Sequence, residues 1–537
     1  MSSPETEYKP PTGIRWWPAI FIVSIIGVIA WFFYLRFVRL EDETFKNFSI
    51  IGASVVATFL LSIWWMLFSR KRWGAPPGFF GWILALIIRA VILVIVLASL
   101  GLAVHYSVRI DGFTGDNIPV FSFRWEERKV EPQEVSASTA TNVVAATTIE
   151  LDDTDSPGFR GAERDGIVRG IQFNDTWLQP KELWRIPVGK GWSSFATAGP
   201  YIWTQEQDGE KELVTCYDAA TGARVWTHED NARFTEFWGG AGPRSTPEYH
   251  DGKIYALGAT GILNCLDAVT GKSVWSANIL KQNQAKNIPW AMAGSPLVLG
   301  DRVYVSPGGK NGALVAYHRL SGEKIGGAGT NITSYSSPHL FKLHGQEQIL
   351  IHHGYGISGH DPVNLKENWT ASWTTGTKIN VAQPLVYGGT NVFLSLGYGK
   401  GSVMFDVLRE GEDWMAEERW RSPRLKSKFN NFVQDGQYVY GLDEGRLVCL
   451  DLDTGNRTWR GDKFGFGQLL RIGKTLLVLS EKGEVVYVKA DPDEFAIIGR
   501  FQAISGKTWN HPAIGRGRLF VRNGAQAACY ELQSAAN

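Results

Sequence analysis

The stretch Asp218-Ala219-Ala220-Thr221-Gly222-Ala223-Arg224-Val225-Trp226 decides the fold, because it returns. The same phrase runs from Asp267 to Trp275 and from Asp451 to Trp459: an aspartate, a Thr-Gly turn, and a tryptophan four residues after the glycine. A degraded copy, His318-Arg319-Leu320-Ser321-Gly322, lacks the tryptophan. Each unit of such a repeat is one small sheet that cannot bury its own faces, so units must stack on one another. The aspartate side chain can bond the N–H groups of the turn, and the glycine supplies positive φ. The tryptophan offers a large face to the next unit. Asp218, Gly222, Trp226, Asp267, Gly271, Trp275, Asp451, Gly455 and Trp459 are therefore expected to dock unit on unit.

From Lys181 onward the chain reads as short strands punctuated by glycine turns. Eight units start near Trp192, Arg244, Ser295, Ser336, Ala382, Asn430, Gly467 and Asn510. Their spacing of about 40 to 52 residues is that of a four-stranded propeller blade. The last unit ends at Cys529-Tyr530-Glu531-Leu532 without a tryptophan strand. Strand 182–187, containing Trp184, precedes the first unit and is expected to complete the last blade and close the ring. The expected fold class is all-β, an eight-bladed β-propeller, with three N-terminal transmembrane helices. Cys216, Cys265, Cys449 and Cys529 share one slot of the repeat, without metal spacing, and read as small buried apolar residues.

The apolar runs 16–36, 48–68 and 79–104 have the roughly 20 residues a bilayer span needs. The basic loop Arg70-Lys71-Arg72 places the tail 1–15 in the cytoplasm and everything after the third span outside. Arg89, inside the third run, is expected to snorkel to the interface. Residues 105–180 form an extended segment carrying Phe121, Phe123 and Trp125, then a linker whose stretch Val135 to Asp155 has a flexible composition. The propeller takes residues 181–537. A net charge of +1 argues against a nucleic-acid partner.

The phrase Cys-x-Asp-x-x-Thr-Gly-x-x-x-Trp resembles the tryptophan-docking motif of the pyrroloquinoline quinone (PQQ) repeat family, over roughly residues 181–532. That family includes quinoprotein alcohol and glucose dehydrogenases, and the BamB-type propeller of the outer-membrane assembly machinery, which has no cofactor. Phe159-Arg160-Gly161 followed by Arg164-Asp165-Gly166 resembles the lead-in of membrane-tethered bacterial members. In the family's enzymes the resemblance implies an axial quinone with calcium, acidic or amide ligands and an aspartate base.

The residues leading into the eight first strands test that implication. They are Ser193-Ser194, Arg244-Ser245-Thr246, Ser295, Ser336-Ser337, Ala382-Gln383, Asn430-Asn431, Gln468 and Asn510-His511, with Lys428, Lys507 and Trp509 close by. Calcium wants several oxygen ligands including carboxylate, and hydroxyl oxidation wants a general base. The set holds no Asp or Glu, although His511 is a possible base, and the vicinal cysteine pair of several quinoprotein dehydrogenases is absent. No catalytic residue, metal or cofactor is expected, PQQ with calcium being unsupported by the axial residues. Arg244, Thr246, Gln383, Lys428, Asn430, Gln468, Lys507, Asn510 and His511 form a polar, slightly basic funnel. Such a funnel suits an anionic or polyhydroxylated ligand, or else side chains that satisfy one another, the backbone and channel water.

Three weaker signals remain. Gly354 to Gly359 spells GxGxxG but reads as a hairpin, and His352, His353 and His360 read as packing residues. Asp361 to Leu365 and Leu408 to Gly411 replace the tryptophan turn in the fourth and fifth units and are candidate protein contacts. The expectation is an integral, multi-pass protein of the inner membrane with its propeller on the extracytoplasmic side. It would act as a non-catalytic binding or scaffold module at the cell envelope, partnered by an envelope protein or a small polar ligand. The alternative is a membrane-linked quinoprotein alcohol or sugar dehydrogenase.

Overall fold

The computed structural model describes residues 17–39, 43–68, 78–125, 149–171 and 179–532. They divide into two compact units, Met1–Glu127 and Arg128–Asn537. Residues 1–15, read as a cytoplasmic tail, the loop Arg70-Lys71-Arg72 and the linker residues 126–148 lie outside the described residues.

The first unit holds α1 (Trp17–Arg39), α2 (Glu43–Phe68) and α3 (Phe79–Ser107). Among the described residues only α3 is long and apolar enough to cross a membrane; the apolar stretches of the other two, Ala19–Leu35 and Ser49–Trp65, are shorter. A helix of that shorter length rises about 26 Å, less than a hydrocarbon core of about 30 Å. The expectation of three spans is thus corrected to one helix by this criterion. Arg89 is 3 % exposed, buried within the unit. Directly after α3, β1 (Val108–Phe113) pairs antiparallel with β2 (Pro119–Phe123).

The described part of the second unit is almost entirely β. Among the described residues, eight antiparallel sheets follow one another in sequence, spanning 196–230, 248–278, 297–328, 339–372, 385–422, 432–463, 468–502 and 513–531. Seven take their four strands in sequence order, and the eighth receives its fourth strand from β4 (Lys181–Pro187). Each sheet is apolar on both faces, and each face is shared with a neighbour. Eight apolar clusters result, one between each sheet and the next, including eighth to first. The sheets therefore form a propeller-like ring with no open edge between first and last.

The docking layer follows a common geometry. In every sheet a bulge falls between the third and fourth strands, immediately after the residue paired with the tryptophan slot. The four cysteines all face tryptophans there, as in Cys216↔Trp226 and Cys529↔Trp184. All four are buried and unpaired. Trp184, Trp226, Trp275 and Trp420 each lie on the turn glycine of the next sheet. A Cβ on Gly271 would fall 2.5 Å from the Trp226 ring, on Gly322 2.6 Å from Trp275, on Gly455 2.6 Å from Trp420, and on Gly222 2.8 Å from Trp184. These glycines hold φ near +70°, where a side chain is strained in any case. The indole N–H of Trp184, Trp226, Trp275 and Trp420 donates to Ala219 O, Ala268 O, Arg319 O and Leu452 O at 2.8–3.1 Å. Trp459 donates to Asp491 O at 2.7 Å. Asp218, Asp267 and Asp451 accept from the N–H of Thr221, Thr270 and Thr454 at 2.8, 3.0 and 2.9 Å.

Two expectations about this layer need correction. The fifth unit loses its Thr-Gly turn to a long hairpin, Gly401–Glu410 with Asp413–Ser422, but keeps the tryptophan as Trp420. The fourth unit keeps the turn itself: Asp361 Oδ1 accepts from Val363 N and Asn364 N, both at 2.8 Å. Leu365, at φ +65°, stands where the glycine would be. Its partner position in the third sheet, where a tryptophan would be, is Gly326, and Leu365 Cδ1 lies 3.4 Å from the Cβ site of that glycine. The bond an indole would make to Pro362 O comes from Tyr304 Oη at 2.7 Å.

Candidate functional site

The lead-in residues meet on the ring axis, where most of them bond to a neighbouring sheet. Ser194 N donates to Thr246 Oγ1 (3.1 Å), Thr246 N to Ser295 Oγ (2.9 Å), and Ser295 N to Ser337 Oγ (2.8 Å). The Gln383 amide pairs with both backbone groups of Ser337 at 2.9 Å, and Gln383 N donates to Asn431 Oδ1 at 2.8 Å. Gln468 Nε2 donates to Phe429 O and Trp509 O, both at 3.1 Å. Asn510 Nδ2 donates to Ser193 O at 2.8 Å, and Ser194 Oγ to His511 O at 2.6 Å. Thr246, Gln383, Gln468 and Asn510 are thus inter-sheet staples, each bond contributing about 1 kcal/mol net. Asn430 is buried and accepts from Lys428 N at 3.1 Å. His511 is buried with Nδ1 2.8 Å from Pro512 O; burial, aided by Arg160, pushes its pKa down to about 3. It stays neutral near pH 7 and is poorly placed to act as a base.

One end of the axis is filled by residues 155–168, the stretch carrying the two arginine motifs. At the turns after the inner strands, Asp155 Oδ2 accepts from Gly199 N (3.1 Å), and Arg516 N donates to Thr154 Oγ1 (2.8 Å). Further in, Ser156 N donates to Thr197 Oγ1 at 2.7 Å, and the Phe159 ring meets the His511 ring at 5.7 Å. Arg160 donates to Phe432 O at 2.5 Å and Asp165 O at 2.8 Å. Arg164 pairs with Glu248 and donates to Pro296 O (2.7 Å) and Ser295 O (3.1 Å). His339 Nε2 reaches Glu163 O at 3.0 Å. The segment leaves as β3 (Ile167–Val168), parallel to the first strand of the seventh sheet. It therefore touches every sheet but the fifth. Burial pulls Arg160 down to about 10, lowers Arg164 and raises Glu248, so desolvation outweighs the attraction of the pair. Residues 149–168 belong to the propeller body, although their composition reads in part as linker.

At the other end, cations lie over aromatic rings. Lys507 Nζ sits 4.1 Å from the Trp509 ring centroid and 5.1 Å from that of Trp192. Lys428 Nζ sits 4.9 Å from Phe466 and 5.1 Å from Tyr398. Phe429 joins the two groups, 4.7 Å from Trp509 and 5.2 Å from Phe466. Burial lowers Lys507 to about 8, opposed by Glu481 and Glu236. Arg244, brought to about 10 by burial, lies over Phe234 at 4.8 Å and pairs with Glu236 at 3.3 Å. Glu236 and Glu481 are carboxylates that sequence reasoning missed. Glu236 comes from the insertion Thr235–Ala241 and Glu481 from a loop between second and third strands, so neither is a lead-in residue.

These residues do not fit a quinone–calcium pair. Glu236 accepts from Trp238 N at 2.6 Å and from Gly239 N, and Glu481 accepts from Trp509 Nε1 at 2.8 Å. Among the described residues no group of three or more His, Cys, Asp or Glu is placed to share a metal ion. His352, His353 and His360 are buried in the fourth sheet, and Gly354-Tyr355 is the turn of a hairpin. Lys507 and Arg244 above partly buried aromatic faces suit an anionic or hydroxyl-rich ligand, while Lys428 over Phe466 is buried.

Residues 210–461 match the family model described as outer membrane protein assembly factor BamB. No curated protein matches the chain. Among solved structures, quinohemoprotein alcohol dehydrogenase from Comamonas testosteroni is 12% identical, with a TM-score of 0.53, over 72% of this chain and 81% of its own. BamB from Moraxella catarrhalis is 15% identical, with a TM-score of 0.48, over 66% of this chain and 100% of its own. The computationally designed Ika8 protein is 11% identical, with a TM-score of 0.45, over 67% of this chain and 100% of its own. At 12% identity the likeness to the Comamonas enzyme is one of fold.

Proposed function

We propose that this chain, a member of the PQQ-like repeat propeller family, is a non-catalytic binding or scaffold module of the cell envelope. In this reading eight blades stand outside the inner membrane, and the apolar helix α3 holds them there. One observation carries the non-catalytic reading: the chain's own residues 155–168 and the hydrogen-bonded lead-in ring occupy the axis. What remains for recognition is the end bearing Lys428, Lys507 and the aromatic faces beneath them, together with the turns of the fourth and fifth sheets. An envelope protein or a small anionic or polyhydroxylated ligand suits that chemistry. The second reading, a quinoprotein alcohol or sugar dehydrogenase linked to the membrane, draws on the fold shared with the Comamonas enzyme.

Purified full chain would be titrated with PQQ and calcium while quinone absorbance and thermal unfolding are followed. The binding-module reading expects no saturable absorbance change and no shift in Tm. Saturable binding with dye reduction by alcohols or sugars would establish the dehydrogenase instead. Cross-linking to envelope proteins should be lost when the turns 361–365 and 408–411 are replaced, and should survive Gln468→Ala.

A further inference from the structure

The hairpin β1–β2 presents a largely exposed aromatic stripe. Residues two apart on a strand share a face, so Phe121, Phe123 and the following Trp125 project together. They are 60 %, 46 % and 67 % exposed. The Phe123 and Trp125 rings stack at 4.6 Å with an interplanar angle of 10°, so the stripe is ordered as one surface. The opposite face is engaged within the hairpin, where Arg109 Nε donates to Ser122 Oγ at 2.7 Å. The turn is closed by Thr114 N donating to Ile118 O at 2.9 Å.

The position of the hairpin selects its occupant. β1 begins at Val108, the residue after α3 ends, and α3 is the helix long and apolar enough to cross a membrane. Tyr106, in the last turn of α3, is 71 % exposed and adds a fourth aromatic beside the stripe. A hairpin joined without spacer to the end of a span stands at the level of the lipid headgroups. Aromatic rings with an apolar body and, in Tyr and Trp, a polar tip partition to that layer. We propose that Phe121, Phe123 and Trp125 insert into the lipid–water interface and fix the depth and orientation of α3. This rests on reading α3 as a membrane span.

The test uses thiol-directed NBD labels on the full chain in phosphatidylcholine vesicles. Cys216, Cys265, Cys449 and Cys529 are all 0 % exposed, so an introduced surface cysteine takes the label selectively. Labels would be placed at Phe121→Cys, Phe123→Cys and Trp125→Cys, at Val94→Cys in α3, and at the exposed propeller residue in Lys310→Cys. Quenching is read with lipids bearing a nitroxide at a shallow or a deep acyl carbon. The stripe labels should be quenched best by the shallow nitroxide, at least about two-fold more than the Lys310→Cys label, as befits an interfacial belt. The Val94→Cys label should be quenched best by the deep one. Stripe labels that behave like Lys310→Cys while Val94→Cys is deeply quenched would overturn the interfacial hairpin and leave the span intact. A Val94→Cys label quenched by neither would overturn both.

Discussion

The joint between the third and fourth sheets should behave as a compensated exchange of side chains. At four other joints an indole rests on a turn glycine; here Gly326 faces Leu365, which is 4 % exposed and held at φ +65°. Leu365→Gly removes a buried leucine, a loss of about 2–5 kcal/mol, and relieves left-handed strain of about 1–2 kcal/mol, leaving a net loss of about 1–3 kcal/mol. Gly326→Trp drives an indole onto Leu365, an overpacking of about 1–3 kcal/mol. The double variant rebuilds the indole-on-glycine contact seen at those four joints. Pro362 O, already bonded by Tyr304, would then accept a second donor, just as Arg319 O accepts from both Tyr255 Oη (3.3 Å) and Trp275 Nε1 (2.8 Å). The two substitutions should couple favourably by about 2 kcal/mol or more, near the upper range for residues in contact. The assay is urea unfolding of the full chain in detergent, read by far-UV circular dichroism because one variant adds an indole to the 22 present. A double variant no more stable than the sum of the singles would refute the reasoning.

Three further outcomes follow from the titrating groups and the axial segment. Burial raises Glu212 to about 7, so the unfolded chain releases that proton near its ordinary pKa while the folded chain holds it. The folded state then binds more protons in between, and stability should fall by about 3 kcal/mol as pH rises from about 4.5 to 7; a pH series of unfolding curves on the wild type and Glu212→Gln should show that slope only in the former. Arg164→Met leaves the Glu248 carboxyl buried without its cation and should destabilise the chain by about 3–5 kcal/mol. Thermal unfolding should show part of that loss recovered in Arg164→Met/Glu248→Gln. Lys507, lowered to about 8 by burial, should be acylated with a pH profile centred there, against about 10 or above for an ordinary lysine; peptide mass spectrometry after competitive labelling reads the midpoint, and one above 10 would contradict its desolvation.

The docking layer was legible because Asp, Thr-Gly and Trp recur at fixed spacing and each residue type has one physical use in the turn. Trp184 was legible as part of the strand expected to complete the last blade, whereas Trp420 escaped the repeat reading because it follows a hairpin that replaced the turn. The exchange of Gly326 and Leu365 was invisible for a related reason: each looks like decay alone, and only their contact shows compensation. The axial segment was harder still. Its arginines find carbonyls and a carboxylate 84 to 272 residues away, and no local pattern signals such partners.

That distance bears on how polar residues at a propeller axis should be read. Where eight sheets converge, the backbone groups leading into the inner strands are turned away from their own sheets and buried. Each needs a partner, because an unsatisfied buried group costs about 1–3 kcal/mol. Ser, Thr, Asn and Gln at those positions are therefore demanded by ring closure before any ligand is considered, and Thr246, Ser295, Gln383 and Asn510 meet that demand. A polar lead-in set cannot by itself distinguish a binding funnel from a closed ring. Any recognition at the axis falls to groups outside the staples, which here means Lys507 above its aromatic rings, and Arg244 with Glu236 beside it.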